Sequence, residues 1–157
     1  MSGQFQGSSA QADHRLLAAP IGVQNSSPHG RPGRWNIAAP MATLSTHALD
    51  TMHGCPAAGM AVALYSVGSE SVSLLHRSVL NDDGRAPDLA QAASALAAGR
   101  YRLVFQVAAY FRLRGAVLPD PPFLDEVGID FGIGEAGGHY HVPLLASPWA
   151  YSTYRGS

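Results

Sequence analysis

One cysteine, Cys55, stands in the 157-residue chain, which excludes an intramolecular disulfide and makes a reducing compartment the simpler expectation. Charge is equally sparse. Asp, Glu, Lys and Arg together make up 13% of the residues, and ten basic side chains against eleven acidic ones leave a net charge of -1. A chain so nearly neutral has no general attraction to nucleic acid or to an anionic membrane, so neither is an expected partner. No continuous apolar run reaches the roughly 18 to 20 residues that a bilayer span requires. Near the N-terminus the opening residues Met1 to Ala10 carry no Lys or Arg, and Leu16-Leu17-Ala18-Ala19 is stopped by Pro20, so no export signal is expected. The expected location is the cytoplasm.

Apolar residues, in contrast, reach 46%, which with so little charge describes a globular chain with much buried or subunit-facing surface. The length fits one domain plus an extension. Residues 1–40 are rich in Ser, Gly, Gln, Pro and Ala, and Asn25 to Gly33 is too turn-prone to join a packed element. The expected organisation is a disordered N-terminal arm over 1–40 and a folded domain over 41–157, with Met41 a candidate alternative start.

From Thr43 onward the apolar residues recur mostly with period two, the mark of half-buried strands. Leu44 to Asp50 alternates as one strand and is ended by Gly54-Cys55-Pro56. Met60, Val62 and Leu64 share a face of a second strand, and Val72 and Leu74 begin a third that ends at the turn Asn81 to Gly84. Tyr101, Leu103, Phe105 and Val107 mark another strand, and Val127, Ile129, Phe131 and Ile133 the next. Gly134 to Gly138 then turns the chain into two C-terminal strands. Six or seven short strands with Gly and Pro between them argue for an all-β antiparallel sandwich. Leu89 to Ala98 conflicts with that pattern, because its alanines favour a short helix.

The stretch from His139 to Ser157 is aromatic and β-branched, unlike a frayed chain end, and is expected to dock on the domain. His139 and His141 stand at i and i+2, on one face of a strand. Neighbouring imidazoles can exchange protons near neutral pH or bind a metal, whereas a polar edge strand is the plainer reading. Pro143 argues for an edge or interface position, since it has no N–H for a central ladder. His47 in mid-strand and Arg85 at the end of a turn carry little alone. Each is more often a hydrogen-bonded or solvated residue without a chemical role.

Together these segments say more. Leu44 to Asp50 with Gly54 to Ala57, Asn81 to Arg85, Gly99 to Leu103 with Tyr110-Phe111, His139 to Pro143, and the terminal Tyr154-Arg155-Gly156-Ser157 stand in the order of a known set of motifs. In them the chain, from about Thr43 to Ser157, resembles the 5-hydroxyisourate hydrolases, the enzymatic branch of the transthyretin-like proteins. Phe123 to Asp125, Ala146 and Ala150 depart from the common pattern at turns.

The resemblance implies two four-stranded sheets packed as a sandwich, a short strand and loop at Leu89 to Ala98, and one short helix near Ala108 to Arg114. It also implies a homotetramer, a dimer of dimers, with active sites in a central channel. His47, Arg85, His141 and Tyr154 match channel-lining positions, with His139 and Ser157 close by; the hormone-carrying transthyretins lack this set. The implied reaction opens 5-hydroxyisourate to 2-oxo-4-hydroxy-4-carboxy-5-ureidoimidazoline in urate catabolism, without metal or organic cofactor. In it His47 or His141 is the base, Arg85 binds the heterocycle and steadies the developing oxyanion, and Tyr154 donates to the substrate. Two alternatives remain open: a ligand carrier without turnover, and a zinc hydrolase using His47, His139 and His141.

Overall fold

A computed structural model describes residues 41–134 and 137–156. The expected arm over 1–40, Ser157, and Glu135 and Ala136 of the expected turn lie outside the described residues. Strands β1 (Ala42–Ser45), β2 (Ala48–Asp50) and β3 (Cys55–Pro56) open the domain, followed by β4 (Ala61–Val67) and β5 (Val72–Val79). Helix α1 (Pro87–Ala92), strand β6 (Gly99–Gln106) and helix α2 (Val107–Leu113) come next. The chain closes with β7 (Glu126–Ile133), β8 (Gly138–His141), β9 (Leu144–Ser147) and β10 (Ala150–Thr153).

Two four-stranded sheets, ordered β10-β9-β2-β3 and β5-β4-β6-β7, make the sandwich, and β1 and β8 form a further pair. The β5-β4-β6-β7 sheet is antiparallel throughout. Two pairings depart from the antiparallel expectation: β1 runs parallel to β8, and β2 runs parallel to β9. Their direction is not set by a hairpin, because the whole second sheet is threaded between them, and only short connections force antiparallel neighbours.

Alternation decides what lies inside. Ala42, Leu44, Thr46, Ala48 and Asp50 are buried along β1 and β2, and Tyr140, Val142, Leu144 and Ala146 along β8 and β9. The apolar ones among them meet Val62 and Leu64 of β4, Leu103 and Phe105 of β6, and Val127 and Ile129 of β7 in one cluster. Each fully buried Leu or Phe contributes about 1.5–3 kcal/mol relative to exposure.

The Ala-rich segment resolves into both expected forms. Pro87 starts α1 at a position where its missing N–H costs nothing, and Leu89 and Ala93 are buried. Leu96 then bridges Ala42, with N–H donated in both directions at 2.8 Å. With α2 at the place the resemblance implies, the described residues form two short helices rather than one. None of the helices among the described residues is long and apolar enough to cross a membrane.

Candidate active site

The expected single strand over Leu44 to Asp50 is interrupted at Thr46-His47, yet its pairing is not. Val142 donates its N–H to the Ser45 carbonyl at 3.0 Å, and Leu144 donates to the His47 carbonyl at 2.9 Å. Buried Thr46 is satisfied across the break, donating its hydroxyl to the Val142 carbonyl at 2.7 Å. The register therefore holds from Thr43 opposite His139 and Ser45 opposite His141 to Ala48 opposite Leu144. Pro143 sits between the two donors, inside this ladder rather than at a free edge. Its missing N–H falls on the side of the C-terminal segment, where strand pairing lapses between Thr153 and the Gly156 bridge to His141.

Period two then aims the polar set outward. Thr43, Ser45 and His47 share the outer face of β1 and the strand break, beside His139 and His141 of β8. The Ser45 hydroxyl lies 3.0 Å from His139 Nε2 and 2.9 Å from His141 Nδ1, and Thr43 Oγ1 lies 2.8 Å from His139 Nδ1. Both ring nitrogens of His139 thus face hydroxyls of β1. Among the described residues His141 has only its Nδ1 so engaged, which leaves Nε2 for a ligand or a water.

Arg85 arrives from the second sheet's connection. Asn81 Oδ1 accepts from the backbone N–H groups of Asp83 and Arg85 at 3.1 and 2.9 Å, which closes the turn. Ala48 N–H donates to the Gly84 carbonyl at 2.9 Å, and Arg85 pairs with His47 as an antiparallel bridge. Gly84 is buried with φ +71, and a Cβ there would stand 2.5 Å from the Ala48 carbonyl oxygen and 3.2 Å from His47 Cδ2. Only glycine lets the turn press this close, and the contact sets Arg85 beside His47.

His141 is held below the ordinary histidine value of 6.5, first by burial and then by the positive field of Arg85, His47 and His139. It is therefore neutral at pH 7, with a lone pair on Nε2 when its Nδ1–H donates to Ser45 Oγ. A neutral imidazole beside a guanidinium is equipped for acid–base attack on a carbonyl, with Arg85 able to receive the developing oxyanion.

The expected site residues do not all converge. Tyr154 is exposed and has no hydrogen bond to the imidazoles among the described residues. With Arg155 it rims a separate cleft of about 360 Å³ lined also by Ile129, Phe131, Tyr140 and Val142, where Arg155 stacks 4.7 Å above the Tyr140 ring. Ser157 lies outside the described residues. Among the described residues no three metal-ligating side chains are placed to hold a metal ion, His47, His139 and His141 included. Ser45 and Thr43 were missed by motif reasoning, though their positions two and four residues before His47 already put them on its face.

The fold and this cluster define a β-sandwich protein that gathers imidazoles, hydroxyls and a guanidinium on one outer face. The profile of the HIUase/Transthyretin family matches residues 44–156, and the chain belongs to that family. It is 46% identical over 131 residues to the 5-hydroxyisourate hydrolase of Pseudomonas aeruginosa, covering 83% of this chain and 99% of that one. Among solved structures it is similar to the Klebsiella pneumoniae 5-hydroxyisourate hydrolase, with TM-score 0.62 and 41% identity over 74% of this chain and all of that one. Sea bream transthyretin, solved in complex with thyroxine, matches with TM-score 0.64 and 26% identity, covering 73% of this chain and 95% of that one.

Proposed function

We propose that the chain hydrolyses 5-hydroxyisourate in urate catabolism. The observation that carries the mechanism is His141, whose Nδ1 is held by Ser45 while its Nε2 has no hydrogen-bond partner among the described residues and its ring feels the charges of Arg85 and His47. Water attacks the lactam carbonyl as His141 Nε2 takes its proton, and Arg85 steadies the oxyanion. The tetrahedral carbon then expels the ring nitrogen, which takes a proton as the carbon–nitrogen bond breaks. His47 orients the water or the heterocycle. Tyr154, His139 and Ser157 complete the substrate-binding set, and no cofactor is assigned to the reaction.

The working unit in this reading is a cytoplasmic homotetramer built from the domain over 41–157. Assembly supplies what one chain lacks, since exposed Tyr154 has no hydrogen bond to the imidazoles among the described residues. The test is ultraviolet monitoring of freshly generated 5-hydroxyisourate with and without the protein, alongside light scattering. Faster decay with protein and about four chains per particle are expected. Saturable ligand binding without faster decay would favour a carrier on the same fold.

A further inference from the structure

The hydroxyls of β1 and the imidazoles of β8 form an unbroken chain, Thr43 Oγ1 to His139 to Ser45 Oγ to His141, at 2.8, 3.0 and 2.9 Å. A hydroxyl has one proton to give and two lone pairs to receive with, so Ser45 links the imidazoles as a relay when it accepts from one and donates to the other. Two orientations of the chain run it as such a relay. In the first, His141 Nδ1–H donates to Ser45, Ser45 donates to His139 Nε2, and His139 Nδ1–H donates to Thr43; His141 Nε2 is then a base. In the second every donor is reversed, and His141 Nε2 carries a proton to give.

We propose that Ser45 and His139 are positioning residues that carry the proton between the attack and ring-opening steps, so that His141 serves as base and then as acid. This rests on the reading of His141 as the base of 5-hydroxyisourate hydrolysis. When water gives its proton to His141 Nε2, the Nδ1 proton passes to Ser45 Oγ, and the proton of Ser45 passes to His139 Nε2. The positive charge then sits on exposed His139, whose Nδ1–H is held by Thr43, and His141 is neutral again. When the ring nitrogen leaves, the three transfers reverse and His141 Nε2–H protonates it. No proton is lost or gained over the cycle.

The chain also explains why the charge should move. His141 is half-buried, and the charges of Arg85 and His47 oppose an imidazolium held there. His139 is exposed, and water screens its charge.

The test compares wild type, Ser45→Ala, Ser45→Thr and His139→Asn, each with its Tm, by turnover of 5-hydroxyisourate in mixtures of light and heavy water. Ser45→Ala is expected to lower kcat about 10²-fold, the low end of acid–base contributions, with KM little changed, and His139→Asn to lower kcat on the same scale and to raise KM as well, since His139 also belongs to the substrate-binding set. Their rate against deuterium fraction should become linear, whereas wild type and Ser45→Thr should give a curve from several protons in flight. Wild-type kcat with a curved profile in Ser45→Ala would overturn the relay while leaving the hydrolase intact. Absence of turnover in the wild type would overturn the hydrolase reading and the relay together.

Discussion

Gly156 lies directly against His141. Its N–H donates to the His141 carbonyl at 2.9 Å, and a Cβ built on it would stand 2.5 Å from His141 Cδ2 and 2.9 Å from His141 Cβ. The end of the chain thus fixes the imidazole from the side opposite Ser45. Gly156→Ala should force the two apart, destabilise the fold by about 1–3 kcal/mol as overpacking does, and lower turnover more than Tm. A variant with unchanged rate would show that the contact only finishes the strand.

Substitution of the cluster should separate chemistry from folding, because its side chains point away from the core. His47→Asn, His141→Asn and Arg85→Ala are each expected to lower kcat/KM about 10²- to 10⁴-fold, the usual scale of acid–base and electrostatic contributions. Tyr154→Phe should lose less. Far-ultraviolet circular dichroism and the assay together decide it, and near-normal turnover in both histidine variants would remove the general-base role.

The pH profile should carry the mark of Arg85. Because His141 is held below 6.5, its neutral form persists at lower pH than in an isolated histidine, so the acid limb of kcat/KM should fall below pH 6.5. Arg85→Gln removes one source of that field and should move the His141 midpoint upward, whereas Arg85→Lys should leave it low. Proton NMR titration of the His141 ring reads this independently of rate.

Asp50 predicts a stability effect far from the chemistry. Its buried carboxylate accepts from Met52 N–H, His53 N–H, His53 Nδ1 and Tyr110 Oη at 3.0, 2.9, 2.6 and 2.9 Å, tying the turn after β2 to α2. Burial opposes its ionisation, but the bonds from His53 and Tyr110 outweigh this and hold its pKa below the ordinary 3.8. Its contribution should therefore be present above pH 3.8 and be lost as pH falls through the lowered value. Asp50→Asn should cost about 2–4 kcal/mol by breaking a buried network, and Tyr110→Phe about 1 kcal/mol for one bond. Urea unfolding at pH 7 measures both, and equal stability of Asp50→Asn and wild type would contradict the latch.

Chelation separates two chemistries. Acid–base hydrolysis through His141 predicts no loss of turnover with chelator, whereas the zinc reading predicts loss and stoichiometric metal. Elemental analysis of the active protein, read with the chelated rate, decides between them.

Alternation of residue type made the sandwich legible in the sequence, since Tyr101, Leu103 and Phe105 or Val127 and Ile129 leave one solution for which face is buried. It carried no information on strand direction. Thr43 opposite His139 is a parallel pairing across 96 residues, and nothing local distinguishes it from an antiparallel one. His47, Arg85 and His141 were legible as a set only through spaced motifs, because each residue alone is commonplace. Ser45 escaped notice for the opposite reason: a serine in a strand draws attention only once both imidazoles are seen to flank it.

The parallel ladder has a consequence for the order of events during synthesis. His47 leaves the ribosome well before its sheet neighbours β8 and β9, which follow β7 in the chain. Until they emerge, β1 and β2 have no partner on that side, and closing so long a loop is the slow kind of step in folding. The β5-β4-β6-β7 sheet, paired between near neighbours in sequence, can form first as a platform. A nascent chain stalled before His139 would therefore hold a half-built sandwich and lack His141, so activity should appear abruptly once β8 and β9 are made rather than grow with length.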